Sequence, residues 1–248
     1  MSRNKLYEGK AKILYSTEVN GVLLVEYKDA ATAFNAQKQG VIPHKGEINC
    51  GIASKIFEYL GERGIKHHFL QRIAPNQMLV QAVQIIPLEV VVRNMAAGSL
   101  CKRLGIDLGR VLPQPIVEFY YKNDALGDPL VLPSHIYLLE LATPEQLSTL
   151  EALALEINGH LKILFQAISL ILVDFKLEFG TDGQGHILLS DEISPDSCRL
   201  WDDRPGAIRD RIMDKDRFRQ DLGKIAETYQ EVARRLAELD LQSIAKSG

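Results

Sequence analysis

The chain has 248 residues, 46% hydrophobic and 25% charged, enough to bury a substantial core in one large or two modest domains. A formal net charge of −3 supplies no basic field, which argues against nucleic-acid binding. Cys50, Cys101 and Cys198 are scattered, odd in number and without a CxxC pair, which argues against a disulfide framework or a zinc site. No apolar run approaches a membrane span and Met1–Lys5 lacks a signal core, so a soluble cytoplasmic protein with no membrane partner is expected.

Leu6–Tyr15 (LYEGKAKILY) reads as a strand, a tight turn at Gly9 and a second strand, and Val22–Tyr27 supplies a third. Extended backbone puts Lys10 and Lys12 on one face, beside a glycine turn whose N–H groups can approach phosphate. A solvated lysine-rich hairpin has the same pattern, and the phosphate-loop sequence GxxxxGK[ST] is not matched. After Asp29–Asn35 (DAATAFN), Ile48, Ile52, Ile56, Phe57 and Leu60 recur at helical spacing, with Gly61 and Gly64 as stops. Asn49 falls in the first turn of that helix, as a helix-start residue or a polar contact.

Leu79–Val83 and Leu88–Val92 read as strands joined through Pro87. The second ends in Arg93 and runs through small residues into a helix near Leu100. Free N–H groups at that helix start and the Arg93 guanidinium can converge on a phosphate. A small-residue turn with Arg93 in a salt bridge fits equally well. Pro113 and Pro115 should break regular structure before a strand at Ile116–Tyr121, and Lys122–Pro129 is a polar loop. Thr143, Pro144 and Gln146 form a capping box that starts a helix running to about Ala167.

In Leu170–Asp202 an apolar run passes into alternation. As a strand it sets Asp174, Lys176 and Glu178 on one face and Phe175, Leu177 and Phe179 on the other. Thr181–Gly185 is turn chemistry and His186–Glu192 a second strand, giving a hairpin. Cross-strand neighbours lie roughly 5–8 Å apart, so Glu178 and Asp191 could bridge a magnesium ion and nucleotide phosphates. The alternative is the solvated face of an edge hairpin; three charges beside so apolar a lead-in favour a site. From Met213 to Leu236 the spacing predicts one last amphipathic helix, its first turn (Asp214–Arg217) balancing the helix dipole or facing a site. Residues beyond about Leu241 should fray.

LYEGKAK, ATAFN, PLEVVVRNMAAGSLCKRLG, KNDALGDP, LVDFKLEFG, SDEISPDSCRLWD and DKDRFRQ follow one another in an order that resembles the SAICAR synthetase family of purine biosynthesis over nearly the whole chain. The resemblance implies a two-lobed α+β architecture akin to ATP-grasp and kinase-like folds, with antiparallel sheets and packed helices. Residues 1–86 would be a smaller β-rich nucleotide lobe and residues 87–248 a larger substrate and metal lobe. The implied reaction uses ATP and Mg²⁺ to join L-aspartate to 5-aminoimidazole-4-carboxylate ribonucleotide through an acyl phosphate.

Carried over by position, Gly9, Lys10, Ala11 and Lys12 would cover the ATP phosphates, Lys122 would contact the nucleotide, and Glu178 and Asp191 would hold metal and ATP. Arg93, Ser99 and Arg199 would hold the ribonucleotide phosphate, and Asp128, Asp174 and Lys176 would surround its base and carboxylate. Asp174, Lys176 and Glu178 make the implied catalytic set, Asn49, Asp196 and Lys215 are candidates for L-aspartate, and a homodimer is implied. A kinase-like phosphotransferase and a non-catalytic nucleotide binder are the competing readings; Arg93, Ser99 and Arg199 suit a phosphorylated small substrate better than a protein hydroxyl. The chain departs from the family pattern at Ala30, Ser190, Ser197, Pro133-Ser134 and a long Asp203–Met213 segment, which leaves nearby aspartate contacts open.

Overall fold

Alternating apolar residues build two antiparallel sheets in the computed structural model, which describes residues 4–33 and 37–244. Phe34 and Asn35 of the ATAFN motif lie outside the described residues. The first part of the chain forms β1 (Lys5–Glu8), β2 (Lys12–Ser16), β3 (Val22–Tyr27), β4 (Ala30–Ala33), β5 (Lys38–Val41), α1 (Lys45–Gly61), β6 (Phe69–Ala74) and β7 (Gln77–Gln81). Five of these strands make a sheet in the order β1-β2-β3-β7-β6, while β4 and β5 pair as a separate ribbon. Helix α1 packs its buried Ile52, Ile56, Phe57 and Leu60 against this sheet, as the helical spacing requires.

The chain continues as β8 (Gln84–Met95), α2 (Gly98–Leu104), β9 (Val111–Tyr121), a 3₁₀ turn at Asp124–Leu126, β10 (Leu130–Val131), α3 (Pro133–Leu138) and α4 (Pro144–Ala167). It ends with β11 (Leu170–Thr181), β12 (Ile187–Ser190), β13 (Cys198–Asp202), α5 (Ile208–Arg211), α6 (Asp216–Arg219), α7 (Ile225–Glu238) and α8 (Leu241–Ile244). The second sheet runs β10-β9-β8-β11-β12, with β13 pairing the first half of β11. Phe175, Leu177 and Phe179 bury one face of β11 against α4, whose Leu150, Ile157 and Leu161 share the same continuous core. The Thr143 hydroxyl accepts from the Gln146 N–H (3.2 Å) and the Gln146 side chain accepts from the Thr143 N–H (2.9 Å), completing the expected capping box of α4. The α+β architecture is the one expected, and among the described residues no helix is long and apolar enough to cross a membrane.

Five local expectations are corrected. Pro87 does not separate two strands but lies within β8, in a register irregularity where Glu89 faces Glu178 and Ile85 faces Gly180. Pro113 and Pro115 likewise sit inside β9, between the pairs Met95–Val111 and Arg93–Ile116, where an irregular register asks no ladder N–H of them. The predicted final helix is split into α6 and α7, because Asp221, Gly223 and Lys224 all take left-handed backbone (φ 54°, 68° and 50°). The strand expected over His186–Glu192 covers only Ile187–Ser190, and where fraying was expected Leu241–Ile244 forms a last helical turn.

Candidate active site

Two adjoining cavities open where the sheets meet. The larger, about 950 Å³, has an apolar wall including Leu14, Leu23, Val25 and Val80 and a polar end at Gly9–Lys12, Lys122, Glu178 and Asp191. The smaller, about 340 Å³, is lined by Arg93, Asp174, Arg199 and Arg219 among others. Glu89 and Lys176 line both and mark the junction.

Period-two geometry supplies the junction. Asp174, Lys176 and Glu178 share one face of β11, while the adjacent β8 presents Glu89 opposite Glu178 and Arg93 opposite Asp174. Lys176 Nζ contacts Glu178 Oε1, lies 3.1 Å from Glu89 Oε1 and 3.5 Å from Asp191 Oδ2. Lys122 Nζ adds a second ammonium 2.8 Å from Glu178 Oε1. Asp191 stands just past the end of β12 with a left-handed φ of 57°, where Lys12 contacts its carboxylate and reaches Glu192 Oε1 at 2.8 Å. His68 Nε2 lies 3.2 Å from the Asp191 carbonyl; since a carbonyl only accepts, Nε2 carries the proton.

Burial works against charge here, and ion pairing outweighs it. Burial pulls the Lys176 pKa down, but Glu178, Asp191 and Glu89 together raise it well above the ordinary lysine value, and Lys12 behaves likewise between Asp191 and Glu192. Asp191 is opposed by burial, yet Lys12 and Lys176 hold it well below the carboxylate range. His68 is pushed down to about 4 by burial and is neutral at physiological pH. Glu178 and Asp191 are hard oxygen donors at the polar end of the larger cavity, the kind magnesium takes one or two of beside phosphates. Among the described residues no three His, Cys, Asp or Glu side chains gather to hold a metal by themselves, so Glu178 and Asp191 would hold such an ion only together with other oxygen donors.

Four residues of the smaller cavity, Arg93, Asp174, Arg199 and Arg219, belong to a chain of alternating charges that runs Arg103, Glu118, Arg93, Asp174, Arg199, Asp216, Arg219, each paired with the next. Arg93 Nη1 and Arg199 Nη1 both donate to Asp174 Oδ2 at 2.8 Å. Arg93 Nη2 reaches the Ser99 hydroxyl at 3.1 Å, and Arg199 Nη2 would lie 2.5 Å from a Cβ on Gly98. Only glycine admits that guanidinium at the start of α2, and its φ of 54° makes the same demand.

Lys215 and Asp196 both line both cavities, and Asp196 accepts from Lys45 Nζ at 2.6 Å and from the Tyr229 hydroxyl at 2.8 Å. Burial depresses the Lys215 ammonium, with Asp196 opposing, while Asp196 itself is held low by Lys215 and Lys45 against the cost of burial.

The fold thus gathers Lys10, Lys12, Lys122, Lys176, Glu178 and Asp191 with Arg93, Asp174 and Arg199. Asp128, which accepts from the Asn123 N–H at 2.9 Å, lines the larger cavity. Ser99 and Asn49 line neither cavity; Asn49 is buried in α1, its Oδ1 without a hydrogen-bond partner among the described residues. Sequence reasoning missed Glu89, Glu118, His68, Glu192 and the part Asp216 plays. Glu89 had a signal, a charge in the apolar run PLEVVV at even spacing from Arg93.

The SAICAR synthetase family model matches residues 5–236. A phosphoribosylaminoimidazole-succinocarboxamide synthase of Nostoc punctiforme is 59% identical over 233 residues, which span 94% of this chain and 95% of that protein. The solved structure of the synthase from Ehrlichia chaffeensis is similar at a TM-score of 0.91 and 44% identity, covering 96% of this chain and all of that one. A SAICAR synthetase solved in complex with ADP matches at a TM-score of 0.89 and 44% identity, over 94% of this chain and 98% of that one.

Proposed function

The chain belongs to the SAICAR synthetase family, and from that premise we propose that it uses ATP to join L-aspartate to 5-aminoimidazole-4-carboxylate ribonucleotide, forming the succinocarboxamide ribonucleotide, ADP and phosphate. One observation carries the reading: Lys176 and Glu89 line both cavities, so a nucleotide tail in one meets a carboxylate in the other.

The apolar wall of the larger cavity suits the base of ATP, with Gly9, Lys10, Ala11, Lys12 and Lys122 along its phosphates. Mg²⁺ held by Glu178 and Asp191 would neutralise phosphate oxygens. Arg93, Ser99 and Arg199 suit the 5′-phosphate of the ribonucleotide, leaving its carboxylate to point toward Lys176. A carboxylate oxygen then attacks the γ-phosphorus and the bond to ADP breaks, giving an acyl phosphate. The aspartate amine attacks the acyl carbon, phosphate departs with the C–O bond pair, and the new amide nitrogen loses a proton. Lys176 faces the developing negative charge in both steps, and Asp174 fixes the two arginines beside it. Asp128, at the Lys122 loop, borders the nucleotide side of the junction. Lys215, with Asp196 beside it and Asn49 deeper in α1, is the cationic group best placed for the carboxylates of L-aspartate.

The same proposal includes a nucleotide lobe over 1–86 and a substrate lobe over 87–248, a pair of identical copies and a cytoplasmic setting. The free cysteines Cys50, Cys101 and Cys198 suit a reducing compartment. A coupled assay tests the reaction: ADP release should require both the ribonucleotide and L-aspartate. Release without aspartate would make the protein a phosphotransferase or ATPase instead.

A further inference from the structure

The two arginines at the smaller cavity are held in the same way. Arg93 donates from Nε to Glu118 Oε2 at 2.7 Å, and Arg199 from Nε to Asp216 Oδ2 at 2.8 Å. Both place Nη1 on the shared Asp174, and both turn Nη2 toward Gly98 and Ser99 at the start of α2. A guanidinium is planar, so two bonds from different edges fix its plane as one cannot. Asp174 alone supplies one anchor for two forks; the outer carboxylates supply the second.

Those outer carboxylates are tied down in turn. Glu118 also accepts from Arg103 and from the Tyr120 hydroxyl (2.9 Å), and the same hydroxyl accepts from Arg93 Nη2 (3.0 Å). Asp216 also accepts from Arg219. Neither Glu118 nor Asp216 lines either cavity, so neither is placed to touch a ligand.

We propose that Glu118 and Asp216 are a matched pair of positioning residues, which fix the guanidinium planes of Arg93 and Arg199 for a phosphate monoester in the smaller cavity. The proposal rests on the ribonucleotide reading of this cavity and adds to it which groups confer selectivity for the phosphorylated substrate. Net charge alone predicts the opposite effect, because removing an acid from an arginine cluster should strengthen anion binding.

The test compares wild type with Glu118→Gln and, independently, Asp216→Asn. Each amide keeps one acceptor oxygen but sets an N–H₂ group against a donor that the second carboxylate oxygen had accepted. Calorimetric binding of the ribonucleotide should weaken by about tenfold in each variant, the scale of losing a charged hydrogen bond. Binding of the same nucleoside without its 5′-phosphate should stay within about twofold of wild type. In turnover, KM for the ribonucleotide should rise while KM for ATP and kcat hold. Tighter ribonucleotide binding, or equal weakening of ribonucleotide and dephosphorylated nucleoside, would overturn the proposal. Should one variant fail to fold, the other decides. If wild type binds the ribonucleotide phosphate-selectively but releases no ADP with aspartate, the positioning stands and the ligase reading falls; if it shows no phosphate selectivity, the positioning falls and ADP release alone decides the ligase reading.

Discussion

Asp191 comes within reach of Lys176 because of a single left-handed residue. β12 ends at Ser190, opposite Glu178, and the Asp191 φ of 57° brings its carboxylate Oδ2 to 3.5 Å from Lys176 Nζ. Asp191→Asn tests the charge separately from the geometry, because asparagine tolerates left-handed backbone as readily as aspartate. Turnover should fall by at least about 100-fold, the scale of losing a preorganised charge at a phosphoryl-transfer site. Circular dichroism should be unchanged, and the magnesium concentration for half-maximal activity should rise. An unaltered magnesium dependence would remove Asp191 from the metal's surroundings.

Glu178→Gln asks the companion question on β11. Its carboxylate is buried, yet it accepts from both Lys122 and Lys176, so its loss leaves two ammonium groups without their shared partner. Turnover should be abolished while the chain still folds, as judged by its melting curve. Wild-type activity would show that Glu178 only balances charge.

Gly98 is restricted by both backbone and space. Gly98→Ala should cost about 1 kcal/mol in backbone strain, lowering the melting temperature by about 2–4 °C. The larger effect should be on ribonucleotide binding, because the new methyl group would stand 2.5 Å from Arg199 Nη2 and push the guanidinium aside. A variant with wild-type KM for the ribonucleotide would show that this guanidinium does not serve the cavity.

Much of this arrangement was legible in the sequence, for physical reasons that differ by element. β11 announced itself because strict alternation separates Asp174, Lys176 and Glu178 from Phe175, Leu177 and Phe179, and α4 because Thr143 and Gln146 cap it locally. Asp191 also lay in a recognisable motif, but its left-handed turn depends on where β12 stops pairing, which no local pattern states. Pro113 and Pro115 misled because a proline penalty applies only where the ladder needs an N–H, and an irregular register removes that need. Glu118 and Asp216 stayed hidden because their partners Arg93 and Arg199 lie 25 and 17 residues away along the chain. Such contacts leave no periodicity to read.

Asn94 and Asn158 join β8 to α4 by a reciprocal amide pair, with Nδ2 to Oδ1 distances of 2.8 and 3.0 Å, both side chains buried. Asn158→Leu should destabilise the protein by about 1–3 kcal/mol, because the Asn94 carbonyl loses its donor in a low-dielectric core. The double variant Asn94→Leu, Asn158→Leu should be less unstable than the sum of the singles. Denaturant melts in a double-mutant cycle measure this, and additive losses would show that the pair does not act as a unit.

Asp214 makes stability depend on pH. Its carboxylate is fully buried and accepts from the backbone N–H groups of Leu200 (2.8 Å) and Asp216 (2.7 Å). Burial, aided by the nearby Asp216 charge, pushes its pKa up to about 7. The folded state therefore holds this proton more tightly than the unfolded chain, whose aspartates titrate near ~3.9. The stabilisation is complete below that value and is lost as pH rises through about 7. Between pH ~6 and ~8 the unfolding free energy should fall with a slope of at most about 1.4 kcal/mol per pH unit, the single-proton limit. His68 acts in the opposite sense below about pH 7, because it titrates at about 4 when folded and near ~6.5 when unfolded, so the Asp214 contribution is read as the difference between wild type and variant at each pH. Asp214→Asn should flatten the slope whatever its own melting point, and an Asp214→Asn variant that keeps the wild-type slope would assign the proton elsewhere.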